Sequence, residues 1–277
     1  MALLRFFVYS NLFIAVCAVL MVNQTYQLLI HTMPDPYFMG FVFFSTICSY
    51  SFHWYLSTPS VLSSPRIEWQ HRYHSLHLIL LIGGIAGSAI FFLYLTKHLF
   101  WLLLTAIITF LYSAPKIPNN YFRTLRKIAL GKTIFLAGVW MYVTTILPVI
   151  VSDKPWQPDF YLFITGRFFL IYAICILFDY RDREDDKLNR IRSLITWMTE
   201  KGIRNLFIFS LCIFTTSTVC LLFYHYALLS VFLLLVPGIA VAALYNYAVK
   251  NFADMLYYLV LDGLMALSAL LTLVMRI

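Results

Sequence analysis

Long apolar runs separated by short polar segments account for most of the chain. Nine such runs are long enough to cross a bilayer as helices, near residues 3–23, 37–57, 76–96, 98–114, 128–150, 160–178, 204–224, 226–248 and 252–275. Segments rich in Pro or Asn separate several of them, as at 31–36, 153–158 and 246–251. The pattern predicts an all-α, polytopic membrane protein with nine transmembrane helices in a single domain, residues 1–277.

The composition supports this prediction. Hydrophobic residues make up 62% of the 277 positions and charged residues only 12%, whereas a soluble domain is about 25% charged. A β-barrel is excluded because the apolar runs are much longer than barrel strands. The formal net charge of +8 is explained by basic residues in the loops on one side of the membrane, rather than by nucleic-acid binding.

Basic residues concentrate in the loops that the pattern places on one side of the membrane. These loops cover about 58–75, 115–127 and 179–203, while the other side has only Lys97, Lys154 and Arg276. By the positive-inside rule, we expect the amino terminus and the charged loops to face the cytoplasm from an inner or plasma membrane. Long loops on one face also mark the side where function is expected.

Acidic residues form a cluster directly after the sixth run. Three of them, Asp179, Asp182 and Asp186, have the spacing i, i+3, i+7 and share one face if the helix continues. Like charges on one face repel unless a cation lies among them, and carboxylate oxygens suit a hard ion such as magnesium. The alternative is a solvated helix end whose acids pair with the arginines and lysine between them.

A basic segment follows the fourth run. Tyr112 and Lys116 have a Tyr-x-x-x-Lys spacing at a helix end that Pro115 breaks, and Arg123 and Lys127 follow. A basic segment beside an acidic, metal-binding loop is typical of a diphosphate site, because the metal and the basic side chains share the phosphate oxygens. The sequence therefore predicts that these four side chains bind a diphosphate.

Both segments resemble motifs of the UbiA superfamily of intramembrane prenyltransferases. Residues 112–116 are similar to its Y-x-x-x-K motif, and Asp179-x-x-Asp182-x-x-x-Asp186 is similar to its second aspartate-rich motif. The resemblance implies a helical bundle with a central, lipid-accessible cavity. It also implies transfer of a prenyl group from a polyprenyl diphosphate to an aromatic or other lipophilic acceptor, with magnesium as cofactor.

The first aspartate-rich motif of that family has no counterpart in this chain. Its expected place, residues 48–60, reads Cys-Ser-Tyr-Ser-Phe-His-Trp-Tyr-Leu-Ser-Thr-Pro-Ser, and Glu68 is the single acidic residue between positions 41 and 95. Arg66 and Arg72 are further candidate diphosphate ligands from this region. The alternative function is therefore a non-catalytic member of the family that binds an isoprenoid, a quinone or a partner protein.

Other polar groups leave alternatives open. Imidazole binds transition metals, but a three-residue spacing fans side chains around a helix, so interfacial histidines are the favoured interpretation of His53, His71, His74 and His77. Arg167 and Asp262 lie inside predicted spans, where they either pair with each other or line a cavity.

Overall fold

The computed structural model describes residues 2–56, 64–114, 132–188 and 193–275. These ranges form a helical bundle, and no β-strand occurs within them. The α-helices are α1 Ala2–Tyr9, α2 Leu12–Thr25, α3 Pro36–Tyr55, α4 Pro65–Arg72, α5 His74–Phe92, α6 Leu99–Ser113, α7 Lys132–Met141, α8 Leu147–Val151, α9 Pro158–Leu188, α10 Leu194–Trp197, α11 Glu200–Cys220, α12 Leu228–Ala248 and α13 Asp262–Met275. π-Helical segments Tyr26–Ile30, Tyr142–Ile146 and Leu256–Leu261 continue or precede three of them.

Eight helical segments in the described ranges are long and apolar enough to cross a membrane. They are Leu12–Ile30, His74–Phe92, Thr96–Ser113, Lys132–Val151, Pro158–Leu188, Glu200–Tyr224, Leu228–Ala248 and Leu256–Met275. Helix α3 also has spanning length, with 20 residues, but its Tyr, Trp, Ser and His side chains lower its mean hydropathy. The predicted all-α membrane fold is confirmed, although eight segments rather than nine meet both conditions.

The predicted bounds of the first span, 3–23, are wrong. Helix α1 ends at Tyr9, and Asn11 has a left-handed backbone with φ 67°. Asparagine adopts this conformation more readily than most residues, and its buried amide donates a hydrogen bond of 3.4 Å to Ser51 Oγ. The spanning segment therefore starts at Leu12, and α1 is a separate short helix.

Helix α9 is longer than the apolar run that predicted it. The run ends at Phe178, but the helix continues to Leu188, which adds about three turns. Because the helix is continuous, the acidic residues have a fixed angular relation to the span below them. The prediction that the sixth span ends at 178 and that residues 179–203 form a loop is therefore wrong for residues 179–188, which are helical.

Contacts between the connecting segments sort them into two ends of the bundle. At one end α4 meets the segment before the last span, where the Arg66 backbone N–H donates to Asp254 Oδ2 at 2.7 Å. At the other end Lys97 pairs with Asp153. These two ends correspond to the two sides of the membrane that the basic residues of the loops predicted. That the first of these ends faces the cytoplasm stays a prediction.

Helices α3 and α5 approach each other closely at a glycine. A Cβ added to Gly84 would lie 2.7 Å from the backbone nitrogen of Cys48 and 2.9 Å from its Cα. Close backbone approach over small residues is a main source of helix association in lipid. Gly84 therefore fixes the position of α3, whose last turns lie at the same end of the bundle as the acidic cluster.

We expect Gly84→Ala to destabilise the protein by about 1–3 kcal/mol, because the added methyl group pushes two backbones apart. Gly83→Ala is the matched control on the same helix, since no atom lies within 4 Å of its Cβ position. Thermal unfolding of the two purified variants in detergent measures the difference. Equal stabilities would contradict the close contact between α3 and α5.

Candidate functional site

The acidic end of α9 has two buried carboxylates and one that is partly exposed. Asp179 and Asp186 are 5% and 6% exposed, whereas the Asp182 side chain is 40% exposed. All three belong to one continuous helix at the spacing i, i+3, i+7, so they lie towards the same side of it. Buried carboxylates at the end of a span need compensating groups.

Asp179 is held by the first turn of α7. Lys132 Nζ lies 3.8 Å from Asp179 Oδ1, and Thr133 Oγ1 donates a hydrogen bond to Asp179 Oδ2. Both oxygens of this carboxylate therefore have a partner. Lys132 also interacts electrostatically with Asp186 and Asp182, while the acid that its ammonium group pairs with is Asp179.

Tyr112 approaches the same charges from the end of α6. It lies in electrostatic range of Lys132 and Asp179, and its ring stacks on His53 with centroids 5.3 Å apart. The structure thus places one predicted diphosphate ligand beside the acidic face, while its role stays a prediction. The other predicted ligands lie outside the described residues; they are Lys116, Arg123 and Lys127.

Asp182 and Asp186 differ in their partners. Arg181 Nε donates to Asp182 Oδ1 at 2.9 Å, and Arg181 Nη2 donates to the Tyr258 hydroxyl at 2.7 Å. Asp182 is therefore tied to the last span through Arg181. In contrast, the buried Oδ2 of Asp186 has no hydrogen-bond partner among the described residues. Its lone pairs are therefore left for a cation or a donor that the described residues do not supply.

The acidic cluster offers the donor type that a magnesium ion uses. Carboxylate oxygens are the ligands that Mg²⁺ prefers, and it keeps several waters rather than an all-protein cage. Asp179, Asp182 and Asp186 supply carboxylate oxygens of this kind. Within the described ranges, however, no three His, Cys, Asp or Glu side chains form a group that could hold a metal. The predicted site of Asp179, Asp182 and Asp186 thus stays a prediction.

The remaining charges of the cluster form local pairs. Lys187 Nζ donates to Glu184 Oε1 at 2.6 Å on the exposed side of the helix. Arg183 donates to the Met198 carbonyl at 2.9 Å and also to Glu200. The alternative of a solvated, internally paired helix end therefore describes Glu184 and the partly exposed Asp182, which pairs with Arg181, but it does not describe the buried Asp179 and Asp186.

A second charged group is centred on Arg66, which the sequence presented only as a candidate diphosphate ligand. Its guanidinium carbon lies 3.7 Å from the ring centroid of Tyr258 and 4.2 Å from that of Trp54. Its Nη2 donates to Asn11 Oδ1 at 3.1 Å, and the residue is 5% exposed. Burial lowers the pKa of Arg66, and the neighbouring Tyr258 and Asp262 oppose that shift.

The two charges inside the spans do not pair with each other. Arg167 Nη1 donates to Thr25 Oγ1 and to the Thr144 carbonyl, both at 2.8 Å, and Nη2 donates to Gln24 Oε1 at 2.6 Å. Asp262 instead faces the arginines of α4 and of the α9 end. Arg167 is therefore solvated by hydroxyl, amide and carbonyl oxygens, which is how a buried guanidinium without an acid is accommodated.

A small cavity lies beside Arg167 rather than at the acidic face. Its volume is about 20 Å³, and Gln24, Phe214 and Ser268 contribute to its walls. This volume admits about one water molecule. The central, lipid-accessible cavity that the resemblance implies would have to be larger, and it stays a prediction.

The UbiA prenyltransferase family model matches residues 70–255, which is more than half of the 277 residues. The chain belongs to the UbiA prenyltransferase family. The match includes Tyr112, Lys132 and the acidic end of α9, and it begins after the segment 48–60 where the first aspartate-rich motif would lie. Neither the curated proteins nor the solved structures give a match. The resemblance read from the sequence is thus confirmed at the level of the family.

We expect Arg66→Met to destabilise the protein by about 2–3 kcal/mol, because it removes desolvated cation–π contacts and a buried hydrogen bond. Arg72→Met is the matched control, since Arg72 is exposed on the same short helix. Thermal unfolding and limited proteolysis in detergent measure the effect. If Arg66→Met lowers the stability no more than Arg72→Met does, the aromatic cage formed by Trp54 and Tyr258 does not hold α4 in place.

Proposed function

We propose that this UbiA family member transfers a prenyl group from a polyprenyl diphosphate to an aromatic or other lipophilic acceptor, with magnesium as cofactor. Family membership supports prenyltransferase-type chemistry in the membrane. The observation that carries the proposal is the arrangement at the end of α9. Two buried carboxylates lie there beside an ammonium group, and Asp186 Oδ2 has no hydrogen-bond partner among the described residues.

The metal would be held by Asp179, Asp182 and Asp186. When bound, a magnesium ion neutralises the diphosphate and makes it a better leaving group. Of the three residues, Asp186 offers an oxygen without a partner, while Asp182 is only partly exposed and is oriented by Arg181. Asp186 is therefore the residue whose loss should weaken metal binding most directly.

Basic and hydroxyl groups complete the proposed diphosphate site. Cleavage of the carbon–oxygen bond leaves negative charge on the diphosphate, so donors that are already in place lower the barrier. Tyr112 offers a hydroxyl group beside the acidic face. Lys116, Arg123 and Lys127 are proposed to contribute positive charge from the segment that follows it.

The position of the site suits a lipid substrate. Residues up to Phe178 belong to an apolar run, and the charged residues follow within the same helix. A polyprenyl diphosphate has the same division, with an apolar chain and an anionic head. Its head would lie at the end of α9 while its chain stays at the depth of the apolar residues.

The alternative is a non-catalytic family member that binds an isoprenoid, a quinone or a protein partner. One observation favours it: the segment that would carry the first aspartate-rich motif has no acidic residue, and its Trp54 packs on the Arg66 guanidinium. The acidic face of α9 favours the enzyme, since a purely structural helix end does not require the spacing of Asp179, Asp182 and Asp186.

The two functions differ in the release of pyrophosphate. The full chain in lipid nanodiscs is incubated with Mg²⁺, polyprenyl diphosphates of several lengths and a set of hydroxylated aromatic acceptors. We expect release from the wild type and a loss of about 100-fold or more in Asp186→Asn, by analogy with the removal of one transition-state contact. Glu184→Gln is the control on the exposed side of the same helix and should keep the wild-type rate.

The opposite outcome is equally informative. If no donor and acceptor pair gives pyrophosphate, while the wild type still binds farnesyl diphosphate in a direct binding assay, the non-catalytic function is correct. Equal rates for Asp186→Asn and Glu184→Gln would show that the activity does not depend on the acidic face of α9.

A further inference from the structure

Arg167 is a buried cation without a counter-charge in the part of the chain that the structure describes. It lies inside the span Pro158–Leu188 and is 7% exposed. No acidic side chain among the described residues interacts with it electrostatically. The hydroxyl and carbonyl oxygens around it supply partial negative charge, but the guanidinium group keeps its full unit of positive charge. A charge at this depth is costly unless an opposite charge accompanies it.

Two N–H donors of the Arg167 side chain have no acceptor within the described ranges. A guanidinium group has five such donors. Nη1 donates to four oxygens of the two neighbouring spans, and Nη2 donates once, to Gln24 Oε1. The hydrogen of Nε and the second hydrogen of Nη2 are therefore left for a group that these residues do not supply.

The cavity beside Arg167 has a wall in which donors outnumber the acceptors left to them. Thr218 lines the cavity and is 4% exposed, and its hydroxyl group has no hydrogen-bond partner among the described residues. Ser268 Oγ donates to Gln24 Oε1 at the long distance of 3.4 Å. The amide oxygen of Gln24 thus already accepts from both Ser268 and Arg167.

We propose that this cavity binds one small monovalent anion, such as chloride, which accepts hydrogen bonds from Arg167 and Thr218. An anion of this kind only accepts hydrogen bonds, so it satisfies the unpaired donors and compensates the guanidinium charge. A water molecule brings two hydrogens of its own, for which Thr218 and Ser268 offer only hydroxyl oxygens. The volume of about 20 Å³ admits about one water molecule, which suits a monatomic ion and excludes a diphosphate.

The anion site is separate from the acidic face of α9. Arg167 and Asp179 lie on the same helix, and the rise per residue places them about 18 Å apart along it. The inference therefore does not rest on prenyl transfer. The wall of the cavity includes residues of α2, α9, α11 and α13, so a bound anion joins four helices and should stabilise the bundle.

The first test is thermal unfolding of the purified full chain in detergent, in sodium chloride and in sodium gluconate at equal ionic strength. A ligand that binds the folded state alone raises the unfolding temperature as its concentration increases. We expect chloride and bromide to raise it with the dependence of a single site. Gluconate should have no such effect, because it is too large for the cavity. Equal unfolding temperatures in chloride and gluconate overturn the inference.

A variant of Thr218 separates this cavity from other places where an anion could bind. Thr218→Val keeps the shape of the side chain but removes its donor, so the affinity for chloride should fall about tenfold. Thr165→Val is the matched control, since the Thr165 hydroxyl donates to the Tyr161 carbonyl of its own helix. If both variants keep the chloride dependence of the wild type, the proposed site is wrong.

A variant of Gly166 tests the cavity through its volume rather than its donors. A Cβ added to Gly166 would lie 3.2 Å from Thr218 Oγ1, whereas no atom lies within 4 Å of the Cβ position of Gly138. Gly166→Ala should therefore weaken chloride binding, and Gly138→Ala should leave it unchanged. Equal chloride dependence of these two variants contradicts binding in the cavity.

A last measurement uses only the wild type and does not depend on how a variant folds. Bromide scatters X-rays anomalously, so crystals of the full chain grown in sodium bromide show where the ion binds. We expect a peak within hydrogen-bond distance of Thr218 Oγ1 and the Arg167 guanidinium. Bromide peaks at the basic loops alone overturn the inference. Neither result bears on the release of pyrophosphate, so the anion site and the proposed prenyl transfer fail independently.

Discussion

Charges at the depth of a membrane must be compensated by neighbouring groups, and this requirement organises the bundle. Asp179 has Lys132 and Thr133, and Asp182 has Arg181. Arg167 pairs with no acid among the described residues and is surrounded by oxygen acceptors from two other spans. Each of these contacts joins separate parts of the chain or orients a carboxylate. The contacts that compensate the buried charges therefore also hold the helices together.

One consequence is that the protein's own residues neutralise part of the acidic face. Asp179 and Asp182 have cationic partners, whereas Asp186 Oδ2 has no hydrogen-bond partner among the described residues. Asp185 adds a further negative charge near Asp186. The negative charge that remains is therefore concentrated towards the end of α9.

The sequence predicted the parts of this arrangement that depend on one helix. The apolar runs gave the spans, and the spacing of Asp179, Asp182 and Asp186 predicted a shared face on the condition that the helix continues beyond 178, which it does. The break at Asn11 was missed because apolar residues lie on both sides of it. The cage around Arg66 was missed for another reason: Trp54 and Tyr258 come from distant positions, and spacing says nothing about which helices meet.

Arg66 and Lys132 show how two cations near one site acquire different roles. Both face acidic residues, but Arg66 is 5% exposed and its guanidinium is covered by aromatic rings, so a ligand reaches it only if the cage opens. The Lys132 side chain is 32% exposed and covers only one side of Asp179. Arginine tolerates such burial because its charge is delocalised and weakly hydrated, whereas a lysine keeps its ammonium group near water. Burial therefore assigns Arg66 to holding α4 in place, whereas Lys132 pairs with the buried Asp179.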